Sequence, residues 1–260
     1  MPRRVRLDQL LVQRSLAPSR ERAQALILAG AVRVDGDHVR RSADSVAVDV
    51  TVTIDAGPRF VSRGGEKLDA ALDELGLDVA GRAALDVGSS TGGFTDCLLQ
   101  RGARVVYAVD VGKGQLDWKL RTDPRVVVME GVNAREGVEL PEPVDLIVAD
   151  VSFISLRLAL PPSFAHLRDG GDVVALVKPQ FEAGREAVGR GGIVRDAAAR
   201  AGSVIAVATR FAEDGVPVIA VVASRVPGRE GNREIFVHAR RGATALTASG
   251  LRDAAERAAQ

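Results

Sequence analysis

Leu85-Asp86-Val87-Gly88-Ser89-Ser90-Thr91-Gly92-Gly93-Phe94 is the stretch that decides the fold. The apolar run Ala83 to Val87 reads as a short buried strand, and the chain then breaks on a glycine-rich turn before a helical segment. Glycines let the backbone turn tightly and approach a ligand, and the first turn of the helix offers unpaired N–H groups. About 24 residues after Asp86, Asp110 closes the next apolar run, where an acid can hold the hydroxyls of a ribose. A dinucleotide or S-adenosylmethionine would each suit this arrangement.

Working outward, apolar runs recur at Ala83–Val87, Val105–Val109, Val126–Met129, Leu146–Ala149 and Val173–Val177, with helical or loop segments between them. Continuous rather than alternating apolar runs are expected of parallel strands buried on both faces. A helix carrying Leu68, Leu72 and Leu75 precedes them. Two late runs, Val216–Ala223 and Glu234–Ala239, are joined through Pro227-Gly228 and predict an antiparallel pair ending the sheet. The predicted fold is therefore α/β, a Rossmann-like class I methyltransferase with a mostly parallel seven-stranded sheet, preceded by a small α+β domain. Three details favour S-adenosylmethionine. Asp86 stands before the first glycine, where dinucleotide loops carry an apolar residue. The loop Gly-Ser-Ser-Thr-Gly-Gly departs from G-x-G-x-x-G, and the terminal antiparallel pair is a methyltransferase trait. The candidate cofactor residues are Asp86, Gly88, Ser89, Gly92, Gly93, Phe94 and Asp110, joined by Asp150. Asn133, after the third strand, either touches the adenine edge or is an ordinary loop asparagine.

The front of the chain has a different character. Net charge is only +1 over 260 residues, yet residues 1–41 hold nine arginines against four acids, a local +5. Such a segment is either a polyanion-binding face or a solvated arginine-rich surface. Leu7, Leu10 and Leu11, then Ala23, Leu26 and Ile27, fall at helical spacing, with Ser19 as a cap and Gly30 as a stop. Val32-Arg33-Val34 runs into the hairpin signal Asp35-Gly36, and Val46, Val48, Val50, Val52 and Ile54 alternate as strands. The stretch 55–59 marks a boundary, so a domain at 1–58, a linker at 59–65 and a catalytic domain at 66–260 are expected. The residues Arg6-Leu7-Asp8, Ser19-Arg20, Ala23 to Gly30 and Val32 to Gly36 resemble the S4 RNA-binding domain. That resemblance implies phosphate-facing arginines at Arg4, Arg6, Arg14, Arg20 and Arg22.

Further motifs stand at Val61 to Leu68, Val109 to Leu116, Ala149 to Ser155, Val177 to Glu182 and Gly231 to Glu234. With the glycine loop, they resemble the TlyA family of ribosomal-RNA 2′-O-methyltransferases, which joins an S4 domain to an FtsJ-like methyltransferase. The resemblance covers nearly the whole chain and implies a Lys-Asp-Lys-Glu tetrad at Lys67, Asp150, Lys178 and Glu234. It also implies ribosomal RNA as partner and cytidine as the target. One position departs from the family: Phe60 stands where the family carries Trp. The chemistry of a ribose hydroxyl supports the tetrad independently. Such a hydroxyl is a weak nucleophile that must lose a proton, and a lysine serves as base only when its pKa falls from ~10.4 toward neutrality, worth about 4 kcal/mol. The chain has four lysines against 31 arginines, and arginine cannot be deprotonated in a protein. Lysine kept at two tetrad positions is what base chemistry demands.

Other chemistries fit less well. Amino-directed enzymes place Asp/Asn-Pro-Pro-Tyr/Phe where this chain has Asp150-Val151-Ser152-Phe153, and cytosine C5 enzymes need a cysteine there, whereas the one cysteine is Cys97, expected as helix packing. Phe153 is expected to close the core rather than stack on a base. A non-catalytic S4-type RNA-binding protein is the alternative from another class, and a base-directed RNA methyltransferase a further one. The scattered histidines predict no metal site, and the lack of any long apolar run predicts a cytoplasmic protein with no membrane partner.

Overall fold

The computed structural model describes residues 3–39, 41–55, 57–228 and 231–260; Arg40 of the basic segment and Ala56 of the boundary stretch lie outside the described residues. The chain divides into two units, 1–59 and 60–260.

In the front unit the elements are β1 (Arg4–Arg6), α1 (Leu7–Gln13), α2 (Arg20–Leu28), β2 (Val32–Val34), β3 (Asp37–His38), β4 (Ser45–Ala47) and β5 (Val52–Ile54). Ser19 caps α2, its Oγ accepting from Arg22 N at 3.2 Å. The Asp35-Gly36 turn has positive φ at both residues and joins β2 to β3, as the hairpin signal predicts. The valine alternation from 46 to 54 is not one strand: β4 pairs with β1, β5 with β2, and residues 48–51 turn between the two sheets. β1 itself has no local signature because its partner lies about 40 residues away. Leu7, Leu11, Ala23, Ile27 and Val32 form the core.

The second unit contains α3 (Arg63–Leu75), β6 (Ala83–Val87), α4 (Gly93–Gln100), β7 (Val105–Asp110), α5 (Trp118–Arg121), β8 (Val126–Glu130), β9 (Val144–Ala149), α6 (Leu156–Ala159), β10 (Leu167–Val177), α7 (Pro179–Glu182), α8 (Ala197–Glu213), β11 (Val218–Ala223), β12 (Ile235–Arg240) and α9 (Ala248–Ala258). Among the described residues seven strands form one sheet, in the order β11-β12-β10-β9-β6-β7-β8. β6 to β10 are parallel neighbours, and β12 is antiparallel to both β10 and β11. Only β12 therefore runs against the rest, inserted between β10 and β11. Alternate residues face opposite sides. Val173, Ala175 and Val177 pack with Val204 and Phe211 of α8, while Val174 and Leu176 pack with Leu68 and Leu72 of α3 and Leu98 of α4.

The segment expected as a linker, 59–65, belongs largely to this second unit. Phe60 is 2% exposed within its core, Val61 N donates to Asp96 Oδ2 at 2.9 Å, and α3 begins at Arg63. An aromatic ring has too much apolar surface to leave in water when a core lies beside it.

The front unit rests on one buried charge. Asp8 is 0% exposed; its carboxylate accepts from Arg6 at 3.0 and 2.8 Å, Arg20 at 3.2 Å and Gln24 at 3.0 Å. The Arg6 hydrogen bond is the largest of the effects that hold its carboxyl below the usual carboxylate range. A depressed folded-state pKa contributes stability above the unfolded value of ~3.9, lost as pH falls through the folded value. Asp8→Asn should destabilise this unit by about 1–3 kcal/mol at pH 7. The gap to wild type should close as pH drops below ~4, read by amide hydrogen exchange in α1 and α2.

Candidate active site

The parallel strands end at one edge of the sheet, and at β6 the strand order reverses, with β7 and β8 following on one side and β9 and β10 on the other, the place where open α/β sheets bind ligands. A cavity of about 840 Å³ opens at this edge. Gly88 makes the close crossing possible: its φ is +85°, and a Cβ there would lie 2.8 Å from the carbonyl oxygen of Asp150. Asp110, at the end of β7, is locked to the turn, accepting from Ser90 N at 2.8 Å and Gly112 N at 2.7 Å.

α3 reaches the cavity because its first turn can touch α4. A Cβ on Gly93 would stand 2.2 Å from Ser62 Oγ and 2.9 Å from Gly65 N, so the two helix starts meet through glycine. One turn on, Lys67 Nζ donates to Glu234 Oε2 at 2.6 Å, both side chains buried. After β10, Lys178 Nζ lies 2.6 Å from Asp150 Oδ1 and donates to Ser152 Oγ at 2.8 Å. All four tetrad residues line the same cavity, as do Gly88, Ser89, Gly93, Phe94, Asp110 and Asn133. Asn133 Nδ2 is drawn to Glu136 Oε1 at 2.6 Å.

Two residues expected at the cofactor do not line the cavity. Asp86 is wholly buried, with Oδ2 accepting from Thr95 Oγ1 at 2.6 Å; burial, the largest cause, pushes its carboxyl up to about 7. It ties β6 to α4 beneath the turn. Gly92 faces Leu120, which a Cβ would meet at 2.2 Å, so it serves the packing of α5. Phe153 does not close the core as expected. It is 92% exposed, has a φ of +63°, lines the cavity and leans on Phe181 with ring centroids 5.3 Å apart. A bulky residue held in left-handed backbone and in water is the reverse of core packing.

The five arginines expected to face phosphate divide. Arg6 and Arg20 grip Asp8, Arg14 donates to the carbonyls of Val50 and Val48 at 2.7 and 2.5 Å, and Arg4 donates to the Ser45 carbonyl. Arg22 is exposed, and its guanidinium has no partner among the described residues. Four of the five thus hold the front unit together, though each guanidinium keeps further N–H groups.

Residues 60–241 match the FtsJ-like methyltransferase model and residues 5–52 the S4 domain. Over 265 aligned residues the chain is 51% identical to the 16S/23S rRNA (cytidine-2′-O)-methyltransferase TlyA of Mycobacterium tuberculosis, covering 99% of this chain and 98% of that one. The chain belongs to the TlyA family. It is also 40% identical to Hemolysin A of Brachyspira hyodysenteriae, over 90% of this chain and 99% of the relative. A solved structure of a hemolysin-named protein from Streptococcus thermophilus superposes with a TM-score of 0.73 at 38% identity, covering 99% of this chain and 96% of that one. Among the described residues no helix is long and apolar enough to cross a membrane.

In this TlyA-family chain the tetrad has supports that sequence reading missed. Glu182, buried at the end of α7, accepts from Ser155 Oγ at 2.6 Å, Leu156 N at 2.6 Å and Arg157 Nε at 3.3 Å. Burial, the largest cause, raises its carboxyl above the usual range. The segment after Lys178 therefore holds the segment after Asp150, including strained Phe153, from below. Glu182 and Ser155 both lie in family motifs, but their pairing across 27 residues has no sequence signal. Glu182→Gln keeps the volume and removes one acceptor, so kcat/KM for methyl transfer should fall roughly tenfold to a hundredfold. Cofactor affinity should stay within twofold, checked by calorimetry beside steady-state kinetics.

Proposed function

We propose that this protein methylates the 2′-hydroxyl of cytidine ribose in ribosomal RNA of the small or large subunit, or both, using S-adenosylmethionine. The observation that carries the reading is the convergence of two lysine–carboxylate pairs, Lys67–Glu234 and Lys178–Asp150, in the cavity that also holds the glycine turn and Asp110. The residues fit the cofactor. The turn at Gly88 leaves no room for a side chain, Asp110 is fixed at the ribose-binding position of the sheet edge, and the helix start at Gly93 borders the cavity. S-adenosylmethionine, when bound, supplies an electrophilic methyl group on a sulfonium.

The chain's own residues do the rest. Lys178, placed by Asp150 and Ser152, would hold the ribose hydroxyl and, as the neutral amine, accept its proton. Lys67 and Glu234 set the far wall, and Phe153 offers an exposed ring on which the target base stacks, backed by Phe181. The motif after β9, without paired prolines or a cysteine, supports a hydroxyl rather than a base as acceptor. The front unit supplies RNA affinity, and the protein acts in the cytoplasm.

Calorimetry should show one S-adenosylhomocysteine site per chain, weakened by Asp110→Ala; binding of NAD instead would exclude the cofactor assignment. Lys178→Arg keeps the charge and removes the proton acceptor, so single-turnover methylation should drop about 10²–10⁴-fold, nearly as far as in Lys178→Ala. Near-normal turnover in the arginine variant would leave Lys178 with a purely electrostatic role.

A further inference from the structure

Arginines in the second unit are mostly matched to acids: Arg82 and Arg240 to Asp172, Arg101 to Asp69, Arg104 to Glu142, Arg125 to Asp123. In the segments that follow Phe181 and precede Glu234, both of which line the cavity, the pattern breaks. Arg185, Arg190, Arg195 and Arg233 are exposed, and their guanidinium groups have no acid or carbonyl partner among the described residues. Of the other unmatched arginines, Arg63 and Arg135 line the cavity itself, and Arg252 and Arg257 lie on α9.

The loop that carries Arg190 and Arg195 is built rather than loose. Gly189 N donates to Ile193 O at 3.0 Å, and Gly192 N to Gly189 O at 3.1 Å. Asn232, only 4% exposed, accepts from Val194 N at 3.2 Å and donates to Gly192 O at 2.9 Å. Arg200, also buried, donates to the carbonyls of Val194 and Arg195 at 3.1 and 2.7 Å. Asn232 stands two residues before Glu234, so its two bonds fix the loop to the catalytic edge, and Arg233 lies between them in sequence.

We propose that Arg190, Arg195 and Arg233 form a lip that grips backbone phosphates of the RNA strand entering the active site, a contact distinct from the front unit. This rests on the RNA-methylating function proposed for the same cavity. The bonds of Asn232 to Val194 and Gly192 bring the segments that carry the three arginines together, and exposed cations with no acid partner among the described residues are free to neutralise a polyanion. Arginine suits the task because its planar fork meets phosphate oxygens bidentately.

The test uses the full-length chain with Arg190, Arg195 and Arg233 all changed to Gln, beside a second variant with all three changed to Lys. The probes are naked ribosomal RNA and intact ribosomal subunits. With the Gln variant, the slope of log affinity against log salt should fall by about 2. KM for RNA should rise about tenfold or more, with kcat and S-adenosylhomocysteine affinity unchanged, and the Lys variant should recover most of the slope. An unchanged slope and KM in an enzyme whose wild type methylates RNA would overturn the lip. A rise in KM on subunits alone, with the naked-RNA slope intact, would also overturn it in favour of an acidic protein partner. If the wild type methylates no RNA, the functional reading fails, and the salt slope still decides the lip.

Discussion

A buried ion pair 2.6 Å long, Lys67 to Glu234, joins the helix before the first strand of the second unit to the start of its last one in sequence. Two charges removed from water carry a desolvation cost that only close geometry offsets, and stranding either one costs about 3–5 kcal/mol. The surrounding structure is arranged to allow this contact. Gly65 sits against the Phe60 ring where a Cβ would stand 2.3 Å away, and Gly93 lets the starts of α3 and α4 touch. β12 must lie inside the sheet, against β10, for Glu234 to arrive at the same edge as Lys178. The reversed strand order is thus what brings Glu234 to the cavity that Lys178 lines.

The second pair has a different logic. Asp150 and Lys178 come directly after adjacent parallel strands, so their meeting is a consequence of the pairing of β9 with β10. Their orientation is set by the short segments C-terminal to each. Phe181 supports Phe153, and Glu182 binds Ser155 and Leu156, so two short motifs brace one another across the cavity mouth. The strain in Phe153 persists because buried bonds on both sides hold its loop.

Arginine and lysine divide the labour in this chain. Arginine does structural work around buried carboxylates, at Asp8 in the front unit and at Asp172 within β10. Asp172 also meets His238 at 2.8 Å, which ties β10 to β12 far from the cavity. In the second unit, the arginines with neither an acid nor a carbonyl partner among the described residues are Arg63 and Arg135 at the cavity, Arg185, Arg190, Arg195 and Arg233 in the segments that follow Glu182 and precede Glu234, and two on α9. Lysine, whose amine can give up a proton, lines the cavity at both tetrad positions.

The local sequence determined the elements and their order: apolar runs at the seven strands, the glycine turn after β6, the acid ending β7, and the hairpin at Asp35-Gly36. These signals are short-range, carried by side-chain periodicity and backbone preference over a few residues. The tetrad was legible only through family motifs, because Lys67 and Glu234 are 167 residues apart and nothing local marks them as a pair. Tertiary structure decided the rest. It buried Asp86 and Gly92 below the turn, turned four of the five front-unit arginines onto that unit's own carboxylate and carbonyls, drew Phe60 into the second unit, and pushed Phe153 into water. Each outcome depends on which distant surface competes for a given side chain, and burial and pairing are settled only when the whole chain has packed.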